Sequence, residues 1–261
     1  MHPTNCLNCD TSLSGKFCSN CGQKADTHRI TFKHFIMHDV LHGVWHFEKG
    51  MLFTAKEALT RPGKAALDYI SGKRIRYYNV FFLILLLIGL NIFISHYYDH
   101  FREIYTGVSE GVKNSNGRKI AAFMSKYAKL IIFSFVPFFA FNGYLAFRRK
   151  KLNLSEHFIV AGILFLGILI IETIGSLLTF FDFTKHFGFL SDIASMATAL
   201  IIFVYIIYSY YSAFKENYSK AGFSIRMILF LLLLFVELII MLFCIVGFAT
   251  NWKFGDITYQ S

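Results

Sequence analysis

Five apolar stretches, near 79–97, 127–147, 157–180, 190–213 and 225–249, decide what this chain can fold into. Each approaches the ~20 residues a helix needs to cross ~30 Å of hydrocarbon. In a bilayer every backbone N–H and C=O must be satisfied without water, so such stretches fold as helices. The stretch from Ile225 to Ala249 is the least ambiguous, whereas the fourth begins among Ser191, Asp192, Ser195 and Thr198. Pro137 in the second can kink its helix by freeing a carbonyl. Composition agrees: 55% of the 261 residues are hydrophobic and 16% are charged, where a soluble domain carries about 25% charged residues. Too little polar surface remains to coat a water-exposed globule. The fold class predicted is all-α, a helical transmembrane bundle of about five spans.

The net charge of +10 would suggest nucleic acid in a soluble protein. Here the basic residues flank the apolar stretches, which points to membrane contact and not to nucleic acid. Alternate flanks hold 12 and 7 Lys or Arg residues, the richer set including Arg61, Lys64 and the run Arg148 to Lys151. The positive-inside rule places the richer set in the cytosol, with the N-terminus inside and the tail from Asn251 outside. Tyr205, Tyr208, Tyr210 and Tyr211 suit an aromatic belt at the inner end of the fourth span. The loop 98–126 is polar, and no internal repeat is evident.

Cys6-x2-Cys9 is followed eight residues later by Cys18-x2-Cys21. Each CxxC turn presents two thiolates to one ion, and two turns complete a tetrahedral four-sulfur site. No secretory leader precedes the cluster, so it is expected in the reducing cytosol, where such thiols bind metal. The cofactor predicted is one structural Zn2+ in a small ribbon, with Gly15 and Gly22 serving its turns. All four positions are filled by protein, so the ion would fold the segment and carry no reaction. Cys244, alone in an apolar stretch, reads as a small buried hydrophobe.

His34, His38, His42 and His46 follow at four-residue intervals on a helix that Thr31 can cap. Phe32, Ile36, Val40, Val44 and Phe47 gather on another arc, and Pro62 to Gly72 delimit a second helix. These amphipathic pre-membrane helices lie on the cytosolic membrane surface or pack beneath the bundle. His38-Asp39-x-x-His42 imitates the zinc-protease pattern, and His38, His42, His46 and Glu48 are the candidate ligands of a second metal site. The alternative is a polar helix face of imidazoles near headgroups.

Glu172 and Glu237 sit inside apolar spans, with Asn91 at similar depth. A carboxylate there costs about 2.5–3.5 kcal/mol on insertion scales, so it faces the bundle interior and finds partners. It then forms a proton, ion or headgroup site, or an interhelical hydrogen bond that fixes packing. Lys73, Arg74 and Arg76, ahead of Tyr77 and Tyr78, make an anionic-headgroup clamp or simply a topology anchor.

Between Cys18 and Phe82 the chain resembles a family of bacterial membrane proteins known only as a domain of unknown function. The resemblance rests on Cys21-Gly22-Gln23, His38-Asp39-Val40-Leu41-His42, His46-Phe47-Glu48-Lys49-Gly50, Arg61-Pro62-Gly63 and Tyr69-Ile70-Ser71-Gly72-Lys73-Arg74. Where the family favours Glu and Pro, this chain has Asp39 and Val80. The resemblance implies a zinc ribbon, a pre-membrane module and a helical bundle in the bacterial cytoplasmic membrane, but no reaction. The domains expected are a zinc ribbon at 1–26, juxtamembrane helices at 27–78 and the bundle at 79–261.

Three functions stay open at this level. The first is a scaffold or adaptor whose ribbon binds a cytosolic protein partner or lipid headgroups, with no catalytic residues. The second is a proton- or ion-coupled transporter using Glu172 and Glu237, to which a homo-oligomer could supply a second half. The third is a membrane-surface metalloenzyme on the histidine ladder. Metal analysis separates the third: about one zinc per chain, lost on replacing the cysteines and retained in a His38/His42 double variant, is the expected result.

Overall fold

The computed structural model describes residues 4–25, 50–106, 115–184 and 187–252. Among them all regular structure is helical, apart from two isolated β-bridges in the N-terminal knob. Eight α-helices follow in order: α1 (Gly50–Thr60), α2 (Pro62–Ile70), α3 (Val80–Thr106), α4 (Ser115–Phe133), α5 (Phe135–Ala146), α6 (Leu154–Leu178), α7 (Phe189–Phe214) and α8 (Lys220–Thr250). Five helical segments are long and apolar enough to cross a membrane: Val80–Tyr105, Asn116–Ala146, Leu154–Phe183, Phe189–Asn217 and Lys220–Thr250. The chain is a multi-pass membrane protein of the predicted class. The loop expected over 98–126 is much shorter than its polarity implied, because α3 and α4 continue into it as helix.

The second span is α4 and α5, broken at Ser134. Pro137 has no N–H to offer the Phe133 carbonyl, which is why the regular ladder stops there. Ser134 Oγ donates to the Ile131 carbonyl at 2.6 Å and satisfies one of the groups around the break.

α6 occupies the centre, packed by α1, α2, α3, α5 and α7. Its start is set by a capping box. Asn153 Oδ1 accepts from the Glu156 N–H at 2.9 Å, and Glu156 Oε2 accepts from the Asn153 N–H at 2.7 Å. About two-thirds of its most apolar window (67%) is buried, against 17% for α8. Small residues permit this crowding: a Cβ at Gly167 would lie 2.0 Å from the Tyr205 hydroxyl. α8 instead turns Leu232, Phe235, Ile239, Ile240 and Phe243 outward, each more than half exposed. A patch of that size does not persist in water. Lipid is the solvent that makes it stable.

Of the two placements open to the pre-membrane helices, α2 adopts the packed one, against α6 and α7, and so does α1, a helix not drawn from the sequence. Ala58, Ala65 and Ala66 are fully buried. The Gly63 N–H donates to Ser212 Oγ at 2.9 Å, and a Cβ at Gly63 would lie 2.2 Å from the Ala213 nitrogen. The Tyr78 N–H donates to Thr54 Oγ1 at 2.8 Å, tying α1 to the entry of α3.

Two of the tyrosines expected in an interfacial belt serve this docking instead. Tyr205 donates to the Ala58 carbonyl, and Tyr208 to the Thr60 carbonyl at 2.8 Å. Tyr210 is fully buried and donates to the Phe139 carbonyl at 2.7 Å. Only Tyr208 and Tyr211 keep substantial exposure, because the inner end of α7 is covered by protein before it meets the interface.

Gly63→Ala should therefore destabilise the protein by about 1–3 kcal/mol through overpacking. Gly89→Ala, where nothing lies within 4 Å of the added Cβ, should be neutral or stabilising. Thermal unfolding in detergent reads the opposite signs.

Candidate functional site

The N-terminal knob is two copies of one turn, offset by twelve residues. In the first, the Cys6 N–H donates to the Thr11 carbonyl and the Asp10 N–H to the Cys6 carbonyl, at 2.8 and 2.9 Å. In the second, the Cys18 N–H donates to Gln23 and the Gly22 N–H to Cys18, at the same distances. The bridges Asn5–Ser12 and Phe17–Lys24 repeat with the same offset. Both turns need a left-handed residue, which Asp10 (φ 59°) and Gly22 (φ 75°) supply. This corrects the expectation that the chain holds no internal repeat. Its signal was in the sequence, as Cys6-x-Asn8-Cys9 against Cys18-x-Asn20-Cys21, but in a unit too short to stand out.

The repeat brings the four sulfurs together, all within 4.8 Å of one another. Cys6 and Cys21 Sγ are 3.6 Å apart, as are Cys9 and Cys18 Sγ. A disulfide needs about 2.05 Å, whereas a tetrahedron of ~2.3 Å zinc–sulfur bonds has edges of about 3.8 Å. The geometry suits a metal ion. The thiols are not equivalent: local desolvation pushes Cys6 up to about 11, while hydrogen bonding with Thr11 brings Cys9 down to about 6. An ion held by all four would need each as a thiolate.

The knob is seated on the pre-membrane module. Gln23, 3% exposed, accepts from the Arg74 and Ile75 N–H groups through Oε1, at 3.1 and 3.4 Å. A pocket of about 340 Å3 opens between them, lined by Asn8, Glu57, Arg61, Lys64, Asp68, Lys73, Arg76 and Tyr77 among others. Glu57 is buried and holds Arg61 at 2.5 Å, which raises the guanidinium pKa. Asp68 holds Lys73 at 3.2 Å. Lys64 and Arg76 have no acidic partner among the described residues, so the pocket keeps an excess of two positive charges. Burial pushes the Tyr77 phenol up to about 12, so it stays a hydrogen-bond donor. Of the basic residues singled out from sequence, Lys73 and Arg76 face this pocket. Arg74 instead stacks over Tyr69, 5.6 Å from the ring centroid.

Glu172 and Glu237 are not brought together. Glu237 Oε2 accepts from Asn142 Nδ2 at 2.7 Å, across α8 and α5. Glu172 lines a cavity among the spans, a lining to which Glu237 does not contribute. Asn91 donates through Nδ2 to Thr173 Oγ1 at 2.9 Å, joining α3 to α6. Thr198 packs on Gly175 and neither it nor Ser195 lines that cavity.

Glu57 and Asp68 of the surface pocket and Asp99 beside Glu172 escaped the sequence reading, as did two buried polar residues of the spans. Asn142 is 1% exposed, and its position inside an apolar span was the same signal that marked Asn91. His157 is 1% exposed and stacks on Phe214 at 5.9 Å, with neither ring nitrogen hydrogen-bonded among the described residues. His34, His38, His42, His46 and Glu48, with the helix drawn from Thr31 to Phe47, lie outside the described residues.

Gln23→Ala should release the knob from the segment between α2 and α3 without emptying its thiol cluster. We expect faster hydrogen exchange over 4–25 and 72–76, with metal content unchanged, because the partly buried Arg74 and Ile75 N–H groups lose a shared acceptor, at about 0.5–1.5 kcal/mol per hydrogen bond.

Comparison with known proteins adds one finding. A family described as "Protein of unknown function (DUF3667)" matches residues 48–89, which run from the start of α1 into α3. No curated protein and no solved structure matches the chain. The stretch that resembles this family thus holds α1, α2 and eight of the pocket residues, from Phe53 to Tyr77, and the family carries no assigned activity.

Proposed function

We propose that this protein is a membrane adaptor whose thiol knob is a structural zinc ribbon, and whose cationic pocket holds an anionic phosphate headgroup at the cytosolic surface. The observation that carries the reading is the seating of the knob on the segment that joins α2 to α3, with a positively charged pocket between the knob, α1 and α2. Four thiolates around one ion leave no open coordination position, which fits a folding role and not a reaction. Cytosolic placement is supported by charge. The knob, the pre-membrane helices and the turns at Arg148–Lys150 and Lys215–Asn217 join the helix ends counted as the Lys/Arg-rich side. Arg149 and Arg226 both stack on Tyr218, at 5.1 and 4.5 Å from its ring centroid, which gathers more positive charge at this end.

Anionic lipids attract a nearby Lys or Arg by about 1 kcal/mol each. A pocket with two unneutralised cations should hold such a headgroup well above that background, since hydrogen bonds from Arg76 and Lys64 add to the field. The measurement is retention of phosphatidylglycerol by the full chain through delipidating washes. Lys64→Gln combined with Arg76→Gln should weaken it roughly 30-fold, about 2 kcal/mol for two charges. Unchanged retention in a variant that keeps its metal and its elution profile overturns the headgroup assignment.

A further inference from the structure

A cavity of about 950 Å3 lies away from the surface pocket, between α3, α4, α5, α6, α7 and α8. That is within the roughly 300–1,000 Å3 of small-molecule sites. Its wall is divided. Deep in the bundle it is apolar, with Phe135, Phe139, Phe165, Leu169, Ile206 and Leu234. Towards the far ends of α3 and α6 it becomes polar. Asn91, Ser95 and Asp99 line it from α3, and Glu172 and Ser176 from α6. Each set is spaced by four residues, which puts it on one helix face.

Asn91 bonds Thr173 and thereby sets α3 and α6 level at Glu172. From that level the polar wall rises about 12 Å to Asp99, and the apolar wall falls about 10 Å to Phe165, at 1.5 Å per residue. Neither Glu172 nor Asp99 takes part in a hydrogen bond or ion pair among the described residues. Among the described residues no Lys or Arg lines the cavity, in a chain whose net charge is +10. His96 is the remaining titratable group on the wall.

We propose that this cavity binds a membrane amphiphile with a cationic amine head and a hydrocarbon tail. The amine sits between Glu172 and the polar wall of α3, Asp99 draws it in at the mouth, and the tail fills the space between Phe139, Phe165 and Leu234. Anionic amphiphiles are disfavoured by two carboxylates in a lining that, among the described residues, holds no Lys or Arg. A carboxylate facing an open cleft within a span is also where membrane proteins place ligand sites. The inference is independent of the surface-pocket assignment, because the two sites share no residue.

The test uses the full chain in nonionic detergent, with dodecylamine and dodecanol as probes of equal tail length. The concentration dependence of the melting temperature gives an apparent affinity for each. Dodecylamine should bind roughly tenfold or more tighter, the size of one charge-assisted hydrogen bond. Glu172→Gln with Asp99→Asn, both nearly isosteric, should bring the two probes to within about twofold. Ala128→Phe, which fills the cavity from α4, should abolish the response to both. Lys64→Gln with Arg76→Gln should leave every response intact, so failure here and failure of the headgroup assignment are distinguishable. Equal affinity for the two probes in the wild type, or an amine preference that survives loss of both carboxylates, overturns the proposal.

Discussion

A single helix buried between neighbours on most of its sides is the constraint from which this architecture follows. α6 carries almost no polar group in its middle, so its burial leaves few buried donors or acceptors beyond the backbone, which the helix itself satisfies. Close approach then decides stability, because lipid tails are as apolar as leucine and give helices no hydrophobic reason to associate. Contacts such as Gly167 on Tyr205 let backbones come near enough for dispersion to matter. α8 stands at the other extreme, exposing its apolar side chains to lipid and packing mainly along α4 and α5.

The pre-membrane helices depend on the same centre. α1 and α2 lean on α6 and α7, and two tyrosine hydroxyls on α7 donate to carbonyls in the last turn of α1. Helix ends leave carbonyls without intrahelical partners, and Tyr205 and Tyr208 answer that need across nearly 150 residues of chain. Through Gln23 the thiol knob is linked to this platform, so knob, platform and bundle form one continuous set of contacts. The cationic pocket exists because of that stacking: its lining comes from the knob, from α1, from α2 and from the segment leading into α3.

Polar groups inside the spans fall into two kinds. Asn91 with Thr173, and Asn142 with Glu237, are satisfied across helix pairs and set the depth of one helix against another. Glu172 has no such partner among the described residues and faces a cavity. The same chemical oddity in a sequence, a carboxylate among leucines, thus has two different physical resolutions in one protein.

The sequence by itself determined the class, the number of spans, the break near Pro137, the start of α2 at Pro62 and the grouping of Cys6, Cys9, Cys18 and Cys21. All of these depend on interactions within a turn or two of chain, or on segment length against hydrocarbon thickness, which a linear pattern carries in full. Tertiary structure alone decided that Tyr205 and Tyr210 are buried, that α1 and α2 pack inward, that Glu237 meets Asn142 while Glu172 meets open space, and that Lys64 and Arg61 join Lys73 and Arg76. Those outcomes turn on how far each helix is rotated about its axis and shifted along it. Uniformly apolar helices such as α6 have no strong polar face to announce that rotation, so it is fixed only when small residues and side-chain shapes on neighbouring helices find their fit.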